Sequence, residues 1–276
     1  MFDVHTHMLR PPYWGEEYER NWKGPYGSDW QEPSVEAFDA AMNEAGITFA
    51  VVFGITAKAA GVHSPTPEVA AFCERLKTPN VCFMALDPAD PDWRRSFDEG
   101  VAHGARGIKL YPVMARFDPR DEAHDAFYRA ASGKGLPILW HMGATPSAQG
   151  DLSVSHPLVL DQVARRFPDL KQIIAHMGHP WQRDTVQVLR KNPNVYADIS
   201  GVWTRPMDGY LALVNAQEWG CVHKLLFGSD YPLWTPQETI EGLRRLTKVG
   251  SEGFPRVMDE TIDTILACDL RRSLGL

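Results

Sequence analysis

Several things are scarce in this chain. Cysteine is one: Cys73, Cys82, Cys221 and Cys268 are scattered, with no C-x-x-C pair. That excludes a disulfide-dense secreted framework and suits a reducing compartment, the cytoplasm. Long apolar runs are another, since none approaches the ~18 residues of a membrane span. Positive charge is in deficit: 28 Lys and Arg stand against 35 Asp and Glu, giving a net charge of -7. With a pI near 5.8, neither nucleic acid nor an anionic membrane is expected as the main partner. The first apolar run begins at Phe2, so no signal peptide is expected. Low-complexity tracts, internal repeats and domain boundaries are missing too.

What the chain has in quantity is alternation. At 276 residues and 31.0 kDa it is long for an average domain, but α/β barrels reach this length as one domain. Apolar, β-rich runs recur at residues 2–5, 49–54, 81–86, 107–111, 137–141, 172–176, 195–199 and 224–227. Segments of helical periodicity lie between them at 35–45, 68–77, 93–103, 124–133, 158–166, 186–191 and 210–219, and another at 238–248 follows the last run. Gly46, Gly104, Gly135 and Gly220 punctuate helix ends. Parallel strands need helical crossovers, and a closed sheet has no edge. The alternation therefore predicts an α/β protein, a (β/α)8 TIM barrel over residues 1–276 as a single domain. An open doubly wound sheet would more often carry a glycine-rich turn after its first strand. Here that strand ends in His-Thr-His. An extra C-terminal helix, or two, is expected over 257–274.

One connection is too long. Residues 8–33 join the first strand to its helix and carry Tyr13, Trp14, Tyr18, Trp22, Tyr26 and Trp30. Loops beyond about 12–15 residues are usually lids or disordered segments, and six large aromatics argue against disorder. The reading divides between a mini-core or subunit contact, which would suit a homodimer, and a lid over the barrel mouth.

The informative polar residues sit at strand ends. The first run ends in His5-Thr6-His7. Alternate side chains of a strand share a face, so Asp3, His5 and His7 are expected on one side and Phe2 and Val4 on the other. Two imidazoles so placed can ligate one cation. The fourth strand carries Lys109, the fifth ends in His141, the sixth in His176 and the eighth in Gly228-Ser229-Asp230. Each alone has a bland explanation, because a strand-end His is more often structural and Asp230 can cap a turn. Together, at the end where barrels do chemistry, they point to a metal site. His179 either faces the mouth or braces its turn. His63, His103, His124 and His223 read as surface residues, and His156 as a cap.

The runs His5-Thr6-His7, Gly107-Ile108-Lys109-Leu110, Trp140-His141-Met142-Gly143 and Ala175-His176-Met177-Gly178 continue through Asn194-Val195-Tyr196-Ala197-Asp198-Ile199-Ser200-Gly201 to Phe227-Gly228-Ser229-Asp230-Tyr231-Pro232. Over essentially the whole chain this pattern resembles the amidohydrolase superfamily, and more narrowly its amidohydrolase-2 branch, related to aminocarboxymuconate-semialdehyde decarboxylase. The resemblance implies that His5, His7, His141 and Asp230 bind one divalent cation, zinc before others, with His176 and Asp230 as catalytic groups. The donor chemistry agrees: such a set suits Zn²⁺ without excluding Mn²⁺, Fe²⁺ or Co²⁺, and zinc lowers the pKa of its water to about 7. Lys109 would bind a substrate carboxylate, brace the rim, or, carboxylated as in some superfamily members, bridge a second metal. Arg10, Trp203 and Arg205 are further candidates for substrate binding, the guanidiniums toward a carboxylate. The expected function is hydrolysis of a small carboxylate-bearing amide, ester or lactone. A non-oxidative decarboxylase of an aromatic or muconate-type acid, and an inactive binding barrel, are the alternatives.

Overall fold

All eight apolar runs become strands of one parallel sheet. The structure, a computed structural model, describes residues 1–10, 13, 20 and 32–276. In chain order the elements are β1 (Phe2–His7), α1 (Val35–Glu44), β2 (Phe49–Phe53), a hairpin of β3 (Thr56–Ala57) and β4 (Val62–His63), α2 (Thr66–Arg75), β5 (Asn80–Ala85), α3 (Trp93–Ala102), β6 (Gly107–Leu110), α4 (Pro112–Ala115), α5 (Asp125–Gly133) and β7 (Ile138–Trp140). There follow α6 (Val159–Arg166), β8 (Gln172–Ile174), α7 (Gln182–Lys191), β9 (Val195–Asp198), α8 (Pro206–Glu218), β10 (Leu225–Leu226), α9 (Pro236–Leu246), α10 (Asp259–Ala267) and α11 (Arg271–Leu274). The strands pair in the order β1-β2-β5-β6-β7-β8-β9-β10. The ring closes where Val4 N donates to Phe227 O (3.0 Å), Asp230 N to His5 O (2.9 Å) and His7 N to Tyr231 O (2.7 Å). The fold is the expected (β/α)8 barrel.

Two cores follow from the period-two alternation of the strands. Phe2, Val4, Val51, Phe53, Phe83, Leu139, Ile173 and Leu226 pack inside the barrel. The intervening Ala50, Val52, Met84, Ile108, Leu110 and Ile174 pack outward among residues of the helices. The C-terminal segment expected at 257–274 forms α10 and α11, and α11 inserts Leu274, fully buried, into the interior cluster. The hairpin and α4 were not anticipated, because elements of two and four residues are too short to show a period. Helix α9 starts at Pro236, not 238, behind a capping box of Thr235 and Glu238.

The first strand departs from simple alternation. Phe2 and Asp3 pair with Phe49 and Ala50, but Thr6 and His7 pair with Val52 and Phe53. One extra residue therefore stands in β1 between Asp3 and Thr6, a β-bulge. Phe2 and Val4 face the interior, and after the bulge so do His5 and His7. The expected separation of Val4 from the histidines is thus corrected. Asp3 leaves that face, and its Oδ1 accepts the displaced His5 N–H (3.0 Å).

Of the aromatic loop, Trp14, Tyr18, Trp22, Tyr26 and Trp30 lie outside the described residues, and Tyr13 is half-buried against the core. His124, expected at the surface, is buried edge-on to Phe117 by the turn that leads into α5. Among the described residues no helix is long and apolar enough to cross a membrane, and the four cysteines are free.

Candidate metal centre

The C-terminal ends of the strands bring His5, His7, His141, His176 and Asp230 to one mouth. His5 Nε2 lies 3.2 Å from His7 Nε2. Asp230 Oδ1 stands 3.1 Å from the first and 3.0 Å from the second. His5, His176 and Asp230 also form a buried group whose donor atoms lie within 4.8 Å of one another. The His141 ring sits 4.9 Å from that of His176, and its Nε2 is buried with no hydrogen-bond partner among the described residues.

Local backbone choices build this arrangement. His176, Met177 and Asp230 adopt left-handed conformations, with φ of 56°, 49° and 64°. Non-glycine residues adopt this region rarely, at a cost of order 1–3 kcal/mol each. Asp230 is held there by its own N–H on His5 O, and its neighbour Ser229 donates N–H to Asp3 Oδ1 (3.1 Å). Asp3 thus ties the bulge that carries His5 to the turn that carries Asp230. At Gly228 a Cβ would stand 2.9 Å from His5 Cβ, and at Gly143 it would meet His179 O at 2.2 Å. Glycine lets the strand ends approach so closely.

Behind the donors stands Asp198, at the end of β9 and fully buried. Its Oδ2 lies 2.8 Å from His5 Nδ1, and its Oδ1 accepts His176 N–H (2.9 Å), Ser200 N–H (3.0 Å) and the Ser200 hydroxyl. Ser200 Oγ in turn meets His176 Nδ1 at 2.8 Å. An ionised carboxylate only accepts, so His5 carries a proton on Nδ1, which leaves Nε2 as the nitrogen that can offer a lone pair to a cation. Sequence reasoning assigned no role to Asp198 or Ser200. The available signal was a charged residue inside an otherwise buried strand.

The electrostatics suit a cation. Burial opposes ionisation of Asp198 and Asp230, but His5 and the hydrogen bonds outweigh it and both carboxyls lie below their ordinary range. Burial pushes His7 down to about 4 and His176 to about 3, and His141 lies well below its usual value for the same reason. For His5, burial and the Lys109 charge act downward, and Asp198 and Asp230 prevail to raise it. Burial lowers Lys109 to about 8. Two carboxylates therefore face the Lys109 ammonium, a His5 ring whose protonation they favour, and three imidazoles that burial keeps neutral. The close approach of two Nε2 atoms and a carboxylate oxygen, with His141 Nε2 unpartnered among the described residues, fits a divalent ion with nitrogen and oxygen ligands.

The other candidates separate. Arg205 is exposed and lines the cleft above the donors, with Tyr111, His141, Thr145, His176, His179, Asp230 and Trp234. Arg10 points elsewhere: Nε binds Glu32 (2.5 Å) and Nη1 binds Glu68 (3.1 Å), so its guanidinium is already committed. Trp203 packs against Gly242, where a Cβ would stand 2.2 Å from the indole, and under the Arg245 guanidinium. Trp234 takes the cleft position instead. Lys109 is buried against the Phe53 ring and, among the described residues, is not one that lines the cleft. His179 does both things left open for it: its backbone O accepts Ala144 N–H, and its ring lines the cleft 5.4 Å from His176. Tyr111, 4.1 Å from His141 between ring centroids, was not singled out by the sequence.

Comparison with known proteins agrees with this architecture. No curated protein sequence matches the chain significantly. Among solved structures, an uncharacterized TIM-barrel protein from Bordetella bronchiseptica is 20% identical, with 100% of this chain and 99% of that one covered and a TM-score of 0.76. A probable 2-pyrone-4,6-dicarboxylic acid hydrolase from Acinetobacter baumannii, with citric acid bound, is 15% identical over 100% and 99% of the two chains, with a TM-score of 0.69. A 5-carboxyvanillate decarboxylase from Novosphingobium aromaticivorans, with bound manganese, is 15% identical over 100% and 96%, with a TM-score of 0.64. Likeness at this identity establishes the barrel. The amidohydrolase family model matches residues 2–260, nearly the whole chain. The protein belongs to the amidohydrolase family, in its amidohydrolase-2 branch of metal-dependent hydrolases and decarboxylases.

Proposed function

We propose that the protein is a hydrolase of a small carboxylate-bearing amide, ester or lactone, holding one divalent cation, zinc first, through His5, His7, His141 and Asp230. The observation that carries this reading is the convergence of His5 Nε2, His7 Nε2 and Asp230 Oδ1 within 3.0–3.2 Å of one another. A divalent ion bound there supplies Lewis acidity and a water of lowered pKa. His176, neutral through burial and engaged at Nδ1 by Ser200, has Nε2 left to accept a proton and return it to a leaving group. Arg205, at the cleft rim, is suited to the carboxylate of the substrate, and Tyr111 and Trp234 give the cleft flat apolar walls. The free thiols fit a reducing compartment, the cytoplasm.

Those aromatic walls also favour a second reading, decarboxylation of an aromatic or muconate-type acid, and the similarity to a 5-carboxyvanillate decarboxylase lends it weight. Both reactions need a Lewis acid and one proton-transfer group, so turnover must separate them. The metal-loaded protein is incubated with a panel of lactones and esters and with a panel of aromatic and muconate-type acids. A ring-opened or hydrolysed acid is the expected product. CO₂ release without hydrolysis overturns the hydrolase reading in favour of the lyase.

A further inference from the structure

Lys109 is the buried charge that this function leaves unused. It projects into the barrel from β6, is 2% exposed, and its Nζ has no hydrogen-bond partner among the described residues. The Nζ stands 4.8 Å from the centre of the Phe53 ring. The rings of His5 and His7 pack on that same ring, at 5.1 and 4.6 Å between centroids. The ammonium and both imidazoles are therefore neighbours around one aromatic side chain. Asp198, at the end of β9, and Asp230, in the turn after β10, attract its charge. A substrate carboxylate entering by the cleft meets His141, His176 and Asp230 on its walls, whereas Lys109 is not among them.

A protonated lysine donates and cannot ligate. Two positive centres in one low-dielectric pocket repel each other strongly. Two buried carboxylates without a counter-ion, however, are themselves costly. We propose, on the cation site inferred above, that unmodified Lys109 is a resident counter-ion: it offsets the charge of Asp198 and Asp230 when the site holds no metal and weakens the site's grip on the divalent ion. Lys109 keeps the metal-free barrel intact and keeps the ion exchangeable. A neutral amine acting as a ligand predicts the opposite sign. So does a lysine whose amine has joined CO₂ to form a carbamate with loss of a proton, since that group is an anionic ligand.

Zinc alone is the probe. Competition against a chromophoric chelator gives the affinity of the full-length wild type and of Lys109→Met and Lys109→Gln, and thermal unfolding in excess chelator gives the stability of each metal-free form. Both neutral variants are expected to bind one zinc per chain about tenfold tighter or more, and to melt lower than wild type when metal-free. Lys109→Arg, which retains the charge, is expected to bind within about threefold of wild type and serves should the neutral variants fail to fold. Weaker or unchanged zinc affinity in the neutral variants overturns the proposal, as does tightening in Lys109→Arg. A wild type that binds two zinc ions, falling to one in Lys109→Met, overturns it in favour of the carbamate. If the wild type binds no zinc, the cation site itself fails. Ordinary wild-type binding with no gain in the variants defeats only the role given to Lys109.

Discussion

Replacing Asp198 tests the centre most directly, because its two oxygens serve four donors from three parts of the chain. In Asp198→Asn the amide oxygen can keep the His176 and Ser200 N–H groups, and its NH₂ then faces His5 Nδ1. Two donors cannot face each other, so His5 must move its proton to Nε2 and lose the lone pair aimed at the site. Partners that orient a ligating histidine are typically worth 10–100-fold in metal affinity, about 1.4–2.7 kcal/mol. Stability of the metal-free fold should fall less, by about 1 kcal/mol, because only one hydrogen bond is exchanged. Asp198→Ala instead strands two backbone N–H groups and the His5 Nδ1–H in a fully buried position. At about 1–3 kcal/mol for each unsatisfied group, it should lose about 3 kcal/mol or more. Chelator competition measures the affinity, and urea unfolding in excess chelator measures the stability. Wild-type zinc affinity in Asp198→Asn would refute the tautomer argument. Equal stability losses in the two variants would refute the hydrogen-bond accounting.

Leu274→Ala removes a fully buried side chain that α11 places in the barrel interior. It should cost about 2–5 kcal/mol, seen as a lower urea midpoint with an unchanged slope; a midpoint equal to wild type would show that the C-terminal plug is dispensable. The Lys224 ammonium donates to Leu189 O (2.8 Å), Asn192 O (2.6 Å) and Val195 O (3.1 Å), closing the end of α7. Lys224→Met should therefore destabilise by about 1–3 kcal/mol, and an unshifted Tm would count against it. Arg10 pairs with Glu32 and Glu68 at partly exposed positions, so Arg10→Ala should change stability by less than about 1 kcal/mol and leave KM unaltered. Arg205→Ala, by contrast, should raise KM about tenfold or more if it holds a carboxylate; steady-state kinetics that reverse this pair would return Arg10 to the site.

The barrel was legible because each strand and helix carries its own period, and a period can be read from neighbouring residues. The donors were legible for a related reason: a polar residue at the C-terminal end of a barrel strand can face only the mouth or the helices. What that local code lacks is information about the next strand. The bulge in β1 exists through its pairing with β2, where Asp3 to Thr6 spans Ala50 to Val52, and no pattern within Phe2–His7 announces it. The same holds for Arg10 and Arg205, two lone arginines in loops. One finds Glu68 across the fold at 3.1 Å and the other, among the described residues, finds no carboxylate within reach. Asp198 is the clearest instance. It reads as one acid in an apolar strand, yet it reaches His5 across 193 residues of sequence and fixes which nitrogen of that ring faces the site. His5 and Asp198 are both strand-end residues of the same mouth, and only the 2.8 Å between them divides their tasks into ligating and orienting. The sequence of a barrel thus locates its chemistry strand by strand, while the roles within that chemistry belong to pairs of strands.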